Sequence, residues 1–233
     1  MSIDEEGVTL VRNGLEWGMK YLILIWGWWV MGGVLEGATG SPSEEKLRQS
    51  VAPASLQLRQ LIVPKGKVGR HREFPLRAKF ITVHSTDNPS GTASQHARGM
   101  AAGNFRGKSQ WNRTGYMTWH FTVDDREVIQ SLPLNIQGEH ADHEGPGNTT
   151  SIGVEICEFR NARQQAAAIN RAAALVAWLM KDQRIQLDHV VPHYHWPQRH
   201  FHNNQKNCPR ILLDRGQPGP RWEAFLRKVR SCR

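Results

Sequence analysis

The run "ARQQAAAINRAAALVAWLMKD", Ala162 to Asp182, constrains the fold more than any other stretch. Alanine loses no side-chain entropy on entering a helix, and leucine and methionine lose little, so this composition predicts a long helix. Just before it stands "SIGVEICEF", Ser151 to Phe159, a short apolar run that reads as a strand. A long helix next to a buried strand needs a sheet to pack on. Other segments supply one. "KFITVHST", Lys79 to Thr86, is a β-rich run, and "DHVVPH" is a short strand or its exit. "MTWHFTVDDREVIQSL" reads as two strands around a turn at Asp124 and Asp125. Two further helices are expected. In "TASQHARGMAAGN", Thr92 is the N-cap and Ala93, His96, Ala97 and Met100 share a face. In "RWEAFLRKVR", Trp222, Phe225, Leu226 and Val229 form an apolar stripe. The expected class is α/β, a central mixed β-sheet flanked by helices.

A chain of 233 residues suggests one domain with an appendage. The segment "TGSPSEEKLRQSVAPASLQLRQ", residues 39–60, is rich in polar and small residues and reads as a linker, so the globular domain is placed at 61–233. The N-terminal segment, 1–38, contains "YLILIWGWWVMGGVL", Tyr21 to Leu35, a run of 15 residues without a charge. That is short for a membrane span and suits the apolar part of an export signal better. Met19 and Lys20 would precede it correctly if translation began at Met19, and "GATGSPS" offers small residues for cleavage. The acidic stretch upstream does not fit a signal. Export signal, membrane anchor and buried or interfacial helix all stay open.

The formal charge of +9 favours anionic partners, among them a membrane surface or an acidic cell-wall polymer, or simply confers solubility. Nucleic acid is disfavoured, because no run of five basic residues and no reader motif occurs. Cys157, Cys208 and Cys232 are an odd number without short spacing, which is not a disulfide framework. With no CxxC or HExxH string, a metal site must be assembled from distant segments.

Three polar residues occupy strand positions that a core does not want. His84 ends the run Phe80–Val83, Glu155 lies inside "IGVEIC", and His193 follows Val190-Val191-Pro192. An ionised, unpaired glutamate in an apolar strand is costly, although strand alternation also allows Glu155 to face solvent. His84 on its own reads equally well as an ordinary hydrogen-bonded histidine. "VPHYHWPQRHFHNNQKNCP", Val191 to Pro209, adds His195, His200, His202 and Cys208, more donors than one zinc ion takes.

The strings "FITVHSTDN", "MTWHFTVDDREVIQSLPLN", "EHADHEGPGNTTSIGVEICE", "VVPHYHW" and "KNCP" occur in this order. Together they resemble the zinc-dependent N-acetylmuramoyl-L-alanine amidases of phage endolysins and Bacillus cell-wall lytic enzymes, whose fold is shared with peptidoglycan-recognition proteins. The resemblance runs from Leu61 to Leu213. It implies His84, His193 and Cys208 as zinc ligands, with Glu155 and Lys206 as catalytic groups. It also places His140, Trp119 and Asn88 among the substrate-binding positions. Trp119 stands where several relatives carry tyrosine, so no hydroxyl is available there. The loop "PQRHFHNNQ", 197–205, is longer than in close relatives, and His195 is the rival to His193 as ligand.

The implied chemistry is coherent. Two neutral imidazoles and a thiolate leave a zinc ion one open position, the arrangement of a catalytic site. Glu155 would accept the proton of the attacking water and pass it to the leaving amine. Lys206 would steady the oxyanion. The substrate would be peptidoglycan or muropeptides, cut between N-acetylmuramic acid and L-alanine by a monomer. The enzyme would be exported, or would act as a cytoplasmic phage-type lysin. A non-catalytic peptidoglycan-binding module of the same fold is the alternative. His120 is expected as a buried structural histidine, and Cys157 as a small buried hydrophobe.

Overall fold

Alternation along the strands divides the sheet into two chemically different faces. The computed structural model describes residues 52–107, 112–197 and 205–232. Six strands occur there: β1 (Leu58–Gln60), β2 (Phe80–Ser85), β3 (Phe121–Val123), β4 (Val128–Gln130), β5 (Ser151–Ile156) and β6 (Val190–Pro192). They form one sheet in the order β1-β4-β3-β5-β2-β6. The strands β3, β5, β2 and β6 are parallel to one another, and β4 is antiparallel to β3. The expectation of a central mixed sheet flanked by helices is met.

One face carries Ile81 and Val83, Ile152, Val154 and Ile156, and Phe121 and Val123. Against these packs the Ala-rich helix, here α3 (Ala162–Asp182), through Ala168, Ala172, Leu175, Val176 and Leu179. Asn161 caps it by accepting from the N–H groups of Arg163 and Gln164. The C-terminal helix α4 (Pro220–Ser231) adds Trp222, Phe225 and Val229 to the same core.

The opposite face is polar near its middle, with Thr82 and His84 on β2, Gly153 and Glu155 on β5, and Thr122 on β3. At one side it is closed by α1 (Ala93–Ala101), whose Ala93 and Ala97 pack on Ile129 and Cys157. Thr92 and Gln95 form a reciprocal capping box at its start. Asp124, at the β3–β4 turn, accepts from the Ala93 N–H with one oxygen and from the Arg126 and Glu127 N–H groups with the other. The turn foreseen at Asp124 therefore also fastens α1. A short helix, α2 (Pro146–Thr149), leads into β5.

Residues 54–60 correct the boundary drawn from composition. Ala54–Leu56 form a 3-10 turn that buries Leu56 in the main core, and Leu58–Gln60 pair with β4 as an edge strand. "LRQ" gives no strand signal because an edge strand meets water and tolerates polar residues such as Arg59, which reaches Glu127 beside β4. The apolar run 21–35, most of the linker and most of the 197–205 loop, with His200 and His202, lie outside the described residues. No helix among the described residues is long and apolar enough to cross a membrane.

Candidate active site

The carboxyl ends of four parallel strands face the same way, and the candidate groups gather there. Register sets His84 of β2 directly opposite Glu155 of β5. β6 ends at Pro192, so the next residue, His193, leaves the sheet beside β2. Cys208 arrives from outside the sheet. Its carbonyl accepts from the Tyr194 N–H at 2.9 Å, which ties its loop to the residue after His193. Donor atoms of His84, His193 and Cys208 all lie within 4.8 Å of one another, and all three residues are buried. The His84 and His193 rings are 4.5 Å apart, and the Cys208 sulfur is 3.8 Å from His84 Nδ1.

Burial, reinforced by neighbouring histidines and Lys206, holds both imidazoles well below the usual histidine range, so they are neutral. Burial pushes the Cys208 thiol up to about 12, with the Glu155 charge acting in the same direction; Lys206 and a hydrogen bond from the Ser85 backbone oppose it. Two neutral imidazoles and one thiol match the donor preferences of zinc, and a tetrahedral ion held by three protein donors keeps one position open. The residues fit the ion.

His84 presents Nδ1 to this cluster and Nε2 to His140, whose Nδ1 is 3.0 Å away. The far nitrogen of His140 approaches the Ser151 carbonyl at 3.4 Å. The His140 ring lies over β5 at Gly153, where any Cβ would fall 2.9 Å from ring atoms. A side chain at Gly153 would therefore displace that ring. His140 is expected from the sequence to face substrate; it lines the cleft and also braces a candidate ligand.

Glu155 Oε1 is 4.0 Å from His84 Nδ1, while Oε2 is buried with no hydrogen-bond partner. Desolvation lifts its carboxyl to about 8, with Lys206 pulling the other way. It does not face bulk solvent, being 14% exposed, and borders a cleft of about 680 Å³. Lys206, Asn207 and Arg210 line that cleft, as do Phe105, Met117 and Trp119. Trp119 is buried, donates from its indole N–H to Thr122 Oγ1 at 2.7 Å and packs on Phe105.

Two candidates sit elsewhere. Asn88 is exposed, does not line the cleft and accepts from the Ser90 N–H and hydroxyl. Turn formation claims its side chain. His195 is exposed and stands edge-on to Trp196 at 4.6 Å, outside the donor cluster. The 3-10 turn His193–His195 separates the two histidines. His120 is fully buried, as expected: its Nε2 donates to the Ile136 carbonyl and its Nδ1 accepts from the Gly153 N–H. The Cys157 sulfur lies 3.8 Å from His96, away from the donor cluster, and burial raises its pKa.

Residues 74–211, more than half of the chain, match the N-acetylmuramoyl-L-alanine amidase family. N-acetylmuramoyl-L-alanine amidase XlyA of Bacillus subtilis (strain 168) is 40% identical over 155 residues, covering 65% of this chain and 44% of XlyA. The amidase CwlH of the same strain is 37% identical over 162 residues, covering 68% of this chain and 55% of CwlH. The chain therefore spans about half the length of these curated relatives. Among solved structures, the catalytic domain of XlyA superposes with a TM-score of 0.58 at 35% identity, covering 74% of this chain and 98% of that domain.

Proposed function

Because the chain belongs to the N-acetylmuramoyl-L-alanine amidase family, we propose that it hydrolyses the amide bond between N-acetylmuramic acid and L-alanine in peptidoglycan. His84, His193 and Cys208 hold a zinc ion in this reading. Bound there, zinc supplies Lewis-acid polarisation and acidifies water at its open position. Glu155 takes a proton from the attacking water through its unpartnered oxygen and returns it to the leaving L-alanine nitrogen. Lys206, whose charge already acts on Glu155, offsets the negative charge that develops on the carbonyl oxygen. Phe105, Met117 and Trp119 give an apolar wall for the substrate.

The observation that carries hydrolysis over mere binding is the buried, unpartnered Glu155 oxygen beside the donor cluster. A recognition module has no use for such a costly group. The net charge of +9 suits anionic wall polymers as an accessory partner. The test is mass spectrometry of digested sacculi with and without a chelator. The expected result is release of peptides with a free L-alanine amino terminus, abolished by chelation. A protein that holds zinc and pellets with sacculi yet releases nothing is a recognition module.

A further inference from the structure

Three of the four segments that converge on the site, those of His84, Glu155 and Cys208, each carry a charged residue just beyond their functional one. Asp87 lies three past His84, Glu158 three past Glu155, and Arg210 two past Cys208. These residues meet. Arg210 Nε lies 3.1 and 2.8 Å from the two Glu158 oxygens, and its Nη2 lies 2.5 Å from Oε2. Its Nη1 pairs with Asp87 Oδ1. Glu158 Oε1 also accepts from the Asp87 N–H at 3.2 Å. One guanidinium thus spans both carboxylates.

β2 and β5 are already locked by their ladder, but Cys208 belongs to no strand. Its loop is held by the Tyr194–Cys208 backbone bond, by Ser85 and by Arg210. We propose that Arg210 is a positioning residue for the donor cluster: by bridging Glu158 and Asp87, its side chain fixes the Cys208 sulfur against His84 and so sets how tightly the site holds a metal. The proposal rests on the metal reading above. An ordinary exposed ion pair contributes little. This one differs because the Glu158 side chain is only 6% exposed, and losing Arg210 would leave a buried carboxylate without its cation. Lysine, a point charge, cannot reproduce the fork.

The test uses the full chain and its Arg210→Met and Arg210→Lys variants. Zinc affinity is read by competition with a chromophoric chelator. The ligand field is read from the thiolate-to-metal absorption of the cobalt(II)-substituted protein. Arg210→Met is expected to weaken zinc binding by about 10–100-fold and to change the cobalt spectrum, with Arg210→Lys in between. A purely structural role would lower the melting temperature of the metal-free protein and leave the cobalt spectrum as it is. A folded Arg210→Met with wild-type affinity and spectrum overturns the proposal. If that variant does not fold, Arg210→Lys decides, and wild-type affinity there overturns it too. Wild-type protein that holds no zinc would sink the metal reading itself, an outcome separate from an unaltered Arg210→Met in a zinc-binding background.

Discussion

His84 and Glu155 stand opposite one another on neighbouring parallel strands, with Nδ1 and Oε1 4.0 Å apart. Burial keeps His84 neutral, so the pair is an imidazole facing a carboxyl rather than an ion pair. Glu155→Gln retains the shape and removes the proton acceptor. It is expected to bind zinc as the wild type does and to lose about 10²–10⁴-fold in turnover on sacculi. Unchanged turnover would remove Glu155 from the mechanism.

His140 reaches His84 from the side away from the cluster. A metal-ligating histidine depends on the partner of its other nitrogen for tautomer and orientation. His140→Ala is expected to weaken zinc binding by about 10–100-fold, measured by chelator competition. If affinity stays and only KM rises, His140 acts on substrate alone.

Cys208 supplies the one sulfur donor of the cluster. Cys208→Ser replaces a soft donor with a hydroxyl that zinc holds poorly. The variant is expected to emerge from dialysis with less than a tenth of the wild-type zinc, about the level of a broken site. Elemental analysis showing full occupancy would exclude the thiol as a ligand.

His120 gives a pH prediction away from the donors. Burial holds it down to about 4 from the usual 6.5, and both ring nitrogens are engaged as a neutral tautomer. The unfolded chain therefore takes up the proton first. The stabilisation is complete above about pH 6.5 and is lost as pH falls towards 4, a change of about 3 kcal/mol. His120→Gln is expected to be less stable than wild type at pH 7 and to close that gap by about this amount at pH 4. Denaturant titrations giving a constant gap would refute it.

Phe225 anchors α4 in the core and is fully buried. Phe225→Ala is expected to cost about 3–5 kcal/mol of unfolding free energy. Zinc stoichiometry per folded molecule should not change, because the residue lies on the face of the sheet opposite His84 and Glu155. Zinc loss without destabilisation would contradict that layering.

Elements with a strong local period were legible in the sequence. The 162–182 helix, the Asp124 turn and the face formed by Ala93, His96, Ala97 and Met100 all appear where the pattern puts them. The polar strand Leu58–Gln60 was not, since its identity comes from pairing with β4 rather than from its side chains. Motif resemblance singled out His84, His193 and Cys208, and the fold brings them together. It could not show that Asn88 spends its side chain on a turn. Nor could it show that a 3-10 turn sends His195 away from His193. Both facts depend on backbone direction over two or three residues, which composition does not encode. The brace from His140 to His84 depends on the absence of a side chain at Gly153, and only the register of β5 reveals that.

The Cys208–His84 contact joins residues 124 positions apart. Contacts of such long range form only after the intervening chain has collapsed around them. A chain still being synthesised has no complete donor set until Cys208 has left the ribosome, and a cut between the two residues that frees either piece dismantles it. Any product that stops short of Cys208 therefore lacks the complete donor set. In the zinc reading proposed above, a loaded ion would report that the chain as far as Cys208 has closed onto His84.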